Sequence, residues 1–165
     1  MSTKTLYQNP AMTEMNLATQ EKLAETHSKQ KKLYIGVPKE SSFQESRVPL
    51  TPESVLLLTN NGHRIVVESN AGLEAHFSDH EYSEAGAEIT SDIDKVFQAD
   101  TIIKIAPPTL EELDRMKSHQ TIFSPLHLPT LNMEYFEKLI SKKITAFAYE
   151  YIKDEQGNFP LVRAI

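Results

Sequence analysis

Short apolar runs rich in β-branched residues recur along this chain and set the strongest limit on its fold: "LYIGV" (33–37), "RIVVE" (64–68), "TIIKI" (101–105), "TIFSPL" (121–126) and "ITAFAYE" (144–150). Strands exposed on one face alternate polar and apolar residues, whereas these runs are nearly continuous. Such strands are buried on both faces, which is the condition of a parallel sheet covered by helices.

The intervening stretches supply those helices. "TPESVLLLTNNG", "SDHEYSEAGA", "SDIDKVFQA", "TLEELDRMKS" and "NMEYFEKLISKK" carry helical patterns, and several open with Thr, Ser or Asn. Those residues cap helix N-termini, while Gly62 and Gly86 stand where helices should stop. The expected fold class is α/β, a doubly wound, mostly parallel sheet with helices on both faces. Residues 1–31 are polar, with sparse apolar positions at Met12, Met15 and Leu23, and Asn9-Pro10 marks a helix start. They read as an arm with one amphipathic helix ahead of a domain over 32–165; a partly disordered tail is the alternative.

Charge and composition exclude several function classes. A net charge of -6 with scattered lysines and arginines gives no field for phosphate backbones or anionic lipid, so neither nucleic acid nor membrane is expected as a partner. No apolar run is long enough to span a bilayer, and the N-terminus lacks the apolar core of a signal peptide. Without cysteine there is no disulfide framework or thiolate metal site. Cytoplasmic localisation is the working expectation.

In open parallel sheets, ligands bind beyond the carboxyl ends of the strands. After "LYIGV" comes the loop "PKESSFQESR" with Arg47; Lys104 sits near the end of "TIIKI"; His127 follows "TIFSPL"; and "ITAFAYE" ends on Glu150. Each has a simpler reading: Lys104 snorkelling or paired with a carboxylate such as Glu68, Arg47 paired with Glu45 or Glu53, His127 a satisfied loop histidine, Glu150 a partner for a cation or amide. Together, two fixed cations suit a carboxylate, and a neighbouring histidine can exchange a proton near neutral pH. The set predicts a pocket for a small anionic substrate with acid/base chemistry.

Other constellations carry less. His76 and His80 in "HFSDH" have helical metal spacing, but Ser78-Asp79 reads as a cap between them, so no metal site is expected. Asp92, Asp94 and Asp100 do not follow the first strand, as a phosphoacceptor site would require. With five glycines there is no G-x-G-x-x-G and no Walker sequence, so no cofactor-binding motif is present.

The segments "IGVPKESSFQESRVPLTPESV", "GHRIVVESNAGLEAHFSDHEYSEAGAEI", "ADTIIKIAPPTLEEL", "FSPLHLPT" and "ITAFAYEYI", in this order, resemble the N-terminal domain shared by alanine dehydrogenases and the α-subunit of proton-translocating nicotinamide nucleotide transhydrogenases. The resemblance implies a Rossmann-like domain facing a second, NAD-binding domain, and oxidative deamination of L-alanine to pyruvate and ammonia with NAD as hydride acceptor. It gives Arg47 the substrate carboxylate, Lys104 the carboxylate and carbonyl oxygen, and His127 the acid/base role, with Glu150 a further substrate-binding candidate. Transhydrogenase subunits lack a histidine at the position of His127, so "PLHLP" favours the dehydrogenase; the alternatives are the transhydrogenase domain and a non-catalytic, stand-alone binding module. Pro125 stands where an aromatic residue is common and removes a backbone N–H. The resemblance further implies a homo-oligomer, and no turnover by this chain alone, which ends at "PLVRAI" where the family continues toward its NAD domain.

Overall fold

The computed structural model describes residues 32–163 apart from 43 and 131. The N-terminal arm expected over 1–31 lies outside the described residues. Six parallel strands form one sheet: β1 (Tyr34–Val37), β2 (Arg64–Glu68), β3 (Glu88–Thr90), β4 (Thr101–Ile103), β5 (Thr121–Ser124) and β6 (Thr145–Ala148), in the order β3-β2-β1-β4-β5-β6. That order reverses direction between β1 and β4, the arrangement of a Rossmann-like sheet with its switch point there.

Helices α1 (Pro52–Asn60), α2 (Asp79–Glu84), α3 (Ile93–Val96), α4 (Leu110–Arg115), α5 (Met133–Ser141) and the short α6 (Pro160–Arg163) complete the fold. Five begin at a side-chain cap: Thr51, Ser78, Asp92, Thr109 and Asn132 each accept a hydrogen bond from the first turn. Asn61-Gly62 and Ala85-Gly86 close α1 and α2, with Gly62 and Gly86 at φ 84° and 89°. Positive φ of this kind is where glycine is favoured.

Strand alternation divides the core in two. Ile35, Val37, Ile65 and Val67 pack with Val55 of α1 and Tyr82 of α2. Val66, Ile102 and Ile122 point the other way, onto Val96, Leu113, Tyr135 and Leu139 of α3, α4 and α5. Both faces are thus covered, and all strand pairs are parallel. Gly36 permits a close approach at the centre, because a Cβ there would lie 2.5 Å from the Val96 carbonyl oxygen.

Three strands end earlier than their apolar runs suggest. β4 stops at Ile103, β6 at Ala148, and β5 at Ser124, because Pro125 has no N–H to continue the ladder. β3 was not among the expected strands; its three residues pair with Val66–Glu68 at one sheet edge. Among the described residues, no helix is long and apolar enough to cross a membrane.

Candidate functional site at the carboxyl edge

The long connection between β1 and α1 crosses the carboxyl edge and is fixed at its start by three consecutive residues. The Lys39 N–H donates to Glu68 Oε2 at 2.8 Å, at the end of β2. Glu40 reaches over the switch point: Oε1 accepts from the Ile105 N–H at 2.6 Å and Oε2 from the Ala106 N–H at 3.4 Å. Ser41 Oγ donates to Glu112 Oε1 at 3.2 Å, on α4. The loop is therefore tied to β2, to the end of β4 and to α4 before it reaches Arg47.

Under this loop lies a buried charge cluster. The Lys104 Nζ is 2.6 Å from Glu112 Oε1 and 3.4 Å from Glu40 Oε2, with side-chain exposures of 0% for Lys104, 7% for Glu112 and 4% for Glu40. Glu112 also closes a capping box, accepting from the Thr109 N–H at 2.7 Å while its own N–H donates to Thr109 Oγ1 at 3.1 Å. Burial pushes the Glu40 carboxyl up from its ordinary range, opposed by Lys104 and by the two backbone N–H groups.

This geometry gives Lys104 two carboxylate partners. Its ammonium is buried between them, Glu112 and Glu40, while the residue itself lines the pocket beside Tyr149. A buried cation of this kind must be paired, because desolvation of an unpaired ammonium costs several kcal/mol, roughly. Its partners are Glu112 and Glu40 rather than Glu68.

Arg47 is half exposed. Its Nε donates to Glu45 Oε1 at 2.8 Å and one Nη to Glu45 Oε2 at 2.6 Å, a side-on fork. The Arg47 N–H also donates to Glu45 Oε1, at 3.0 Å. The guanidinium holds the Glu45 carboxyl below the usual range. A guanidinium has five N–H groups, so the fork leaves its Nη edge for a second, incoming carboxylate. Besides Glu45, Tyr149 and Glu40 contribute to the field at Arg47.

Tyr149 closes the centre of the rim. Its hydroxyl donates to the Ile105 carbonyl at 3.1 Å, and its ring lies 5.5 Å from that of Phe123. Burial pushes its hydroxyl up to about 12, so it stays a donor at neutral pH. With Pro49, Ile103, Lys104, Ile105, Phe123 and Leu161 it lines a pocket of about 210 Å³. Ile105 is thus held by Glu40 through its N–H and by Tyr149 through its carbonyl.

His127 sits in the left-handed region at φ 49° and is exposed. Glu150 Oε1 accepts from the Leu126 N–H at 2.8 Å and the His127 N–H at 2.9 Å, so the carboxylate fixes the loop that presents the imidazole. Glu150 Oε2 is buried without a hydrogen-bond partner among the described residues. Ser78 caps α2 between His76 and His80, and no group of metal-ligating side chains occurs among the described residues.

Arg47, Lys104, His127 and Glu150 thus all follow strand ends at one edge, but with different surroundings. Sequence reasoning overlooked Glu40, Glu112 and Tyr149. The T-x-x-E of "TLEE" was a readable capping signal for Glu112; Glu40 and Tyr149 gave none, since each acts on Ile105 from a distant part of the chain.

At its switch point a Rossmann-like dinucleotide domain has a glycine-rich turn whose backbone takes the pyrophosphate. Here the corresponding turn is Pro38-Lys39-Glu40, and the Glu40 carboxylate already occupies the N–H groups of Ile105 and Ala106. These residues do not fit NAD, because a fixed carboxylate repels a pyrophosphate. The class is therefore a Rossmann-like α/β domain without a nucleotide cradle at its switch point.

Comparison with known proteins gives the family. Residues 36–164 match the alanine dehydrogenase/PNT N-terminal domain, and the chain belongs to that family. It is 37% identical over 128 residues to an alanine dehydrogenase of Staphylococcus epidermidis, covering 78% of this chain and 34% of that protein. With an alanine dehydrogenase of Bacillus subtilis it shares 40% identity over 122 residues, covering 74% of this chain and 32% of the relative. Among solved structures, an L-alanine dehydrogenase superposes with a TM-score of 0.74 at 37% identity, over 78% of this chain and 35% of the other. A transhydrogenase from Sinorhizobium meliloti gives 0.66 at 31% identity, over 72% and 35%. The chain thus spans about a third of the length of the relatives it matches.

Proposed function

We propose that this domain binds the carboxylate of a small amino or keto acid at the carboxyl edge of its sheet, and that with an NAD-binding partner domain it interconverts L-alanine and pyruvate. The observation that carries this reading is Arg47, half exposed and oriented by Glu45 with an edge of its guanidinium left over. Planar bidentate recognition of a carboxylate is what such an edge does best.

In this reading Arg47 anchors the substrate carboxylate. His127, presented by a loop that Glu150 fixes, takes a proton from the water that attacks the imine carbon and returns it in the reverse direction. Tyr149, kept protonated by burial, is a hydrogen-bond donor at the rim. Lys104, in the lining of the Tyr149 pocket, also ties to Glu40, and Glu150 acts on the His127 loop. NAD, which accepts the hydride when bound, belongs to the partner domain, and none of these residues is assigned to holding it. The protein is read as soluble, cytoplasmic and homo-oligomeric.

The transhydrogenase likeness supports a second reading, hydride exchange between two nicotinamide nucleotides. His127 favours the first, since an exchange of hydride alone has no use for a base. Spectrophotometry of the two-domain protein separates them: L-alanine-dependent formation of NADH is expected, and NADH-dependent reduction of an NADP analogue without any response to alanine would reverse the choice.

A further inference from the structure

We propose that Glu40 is the positioning residue of the carboxylate site, a latch that fixes the loop over residues 38–51 and so sets the place of Arg47. The inference rests on the carboxylate-binding reading above and names which residue governs its affinity.

The geometry points to Glu40 rather than to its neighbours. Among the described residues it is the one side chain of the β1 loop that hydrogen-bonds to the end of β4, taking both the Ile105 and the Ala106 N–H. Those N–H groups follow the last strand residue at the switch point, where neither has a ladder partner. A neutral side chain of the same size has one acceptor oxygen and no charge. The second tie is ionic: Lys104, fixed by Glu112 at 2.6 Å, meets Glu40 Oε2 at 3.4 Å. Glu112, the partner of Lys104, is in turn oriented by the Thr109 capping box on α4. The chain of contacts therefore runs from α4 through Lys104 and Glu40 to the loop that carries Arg47.

A carboxylate in this place has a cost in stability. Burial raises the Glu40 carboxyl even against the opposing Lys104 and the two N–H groups, so its ionised form is less favoured in the fold than in water. Charges held at such a cost are a feature of functional sites rather than of cores optimised for stability. Glu40 also contributes to the field at Arg47, which places the latch within electrostatic reach of the guanidinium it positions.

Two variants and two readouts test the proposal. In the two-domain protein, Glu40→Gln is expected to raise the KM for L-alanine and for pyruvate by about tenfold or more, the equivalent of one charge-assisted hydrogen bond. The kcat should change by less than about threefold and the KM for NAD not at all, since uniform carboxylate binding is what is lost. Lys104→Met should shift the same KM values, and the double variant should be no worse than the more affected single one, because both act through one contact. A large fall in kcat for Lys104→Met with unchanged KM would instead put the ammonium in the reaction itself and overturn the latch.

The second readout needs no turnover. In the 165-residue chain, amide exchange at Ile105 and Ala106 should quicken in Glu40→Gln, and the Arg47 Nε–H resonance should lose the downfield position its bond to Glu45 gives. If the complete protein had no activity on alanine, the functional reading would fall while this measurement still decided the latch. An Arg47 resonance identical in the variant, or a normal KM despite faster exchange, would show that Glu40 is a structural tie and nothing more.

Discussion

Two carboxylates at the rim, chemically alike, are asked to do different things by their surroundings. Glu45 is partly exposed and forked onto Arg47, which holds its carboxyl low; Glu40 is buried and held high. The sign of each effect on stability follows. A carboxyl raised by folding contributes stability below its unfolded value and loses that contribution as pH rises through the raised one. Glu40→Gln should therefore gain on the wild type in thermal unfolding as pH climbs from about 4.5 toward neutrality. Midpoints that shift in parallel at both ends would contradict the burial effect. For His127, removal of a positioned acid/base group typically lowers turnover by a factor of roughly 10²–10⁴. His127→Ala in the two-domain protein should fall in that span with little change in the KM for alanine; near-normal turnover would remove the histidine from the mechanism.

The elements that support these residues were largely readable, and the exceptions have physical reasons. Five strands follow from their β-branched runs, because burial on both faces leaves no polar positions to break the pattern. β3 escaped because "EIT" is three residues long and sits on an edge, too short for a period to show. Lys104 was legible as an anomaly within an apolar run, but its burial beside Glu112 was not, since a strand sequence does not say which helix covers its end. Two capping boxes allow a comparison. Ser78–Glu81 on α2 is exposed and serves only its helix, whereas Thr109–Glu112 on α4 also orients the partner of a buried ammonium. Loss of an N-cap costs about 1 kcal/mol, so Ser78→Ala should show that in urea denaturation. Thr109→Ala should cost more, and equal losses would mean that Lys104 does not depend on the cap. Gly36→Ala should also destabilise, by about 1–3 kcal/mol as overpacking does, because its Cβ would meet the backbone of α3.

For the molecule as a whole, the sheet order and the family match agree on a Rossmann-like domain whose switch point carries the Glu40 carboxylate in place of a glycine-rich turn. The sequence disclosed that Arg47, Lys104, His127 and Glu150 follow strand ends, because the apolar runs mark where each strand stops. It did not disclose the floor of the site, where Glu40, Ile105 and Tyr149 meet from three separate stretches of chain. The central claim is that a small carboxylate binds between the Arg47 loop and the Tyr149 rim. Titration of the isotopically labelled chain with pyruvate, followed by heteronuclear NMR, tests it most directly. Saturable shifts are expected at Arg47 Nε–H and at the amides of Ile105, Ala106 and His127, and they should vanish in Arg47→Ala. Shifts that instead cluster between α1 and α2 around Phe77 and Glu84, or that survive the loss of Arg47, would contradict the claim.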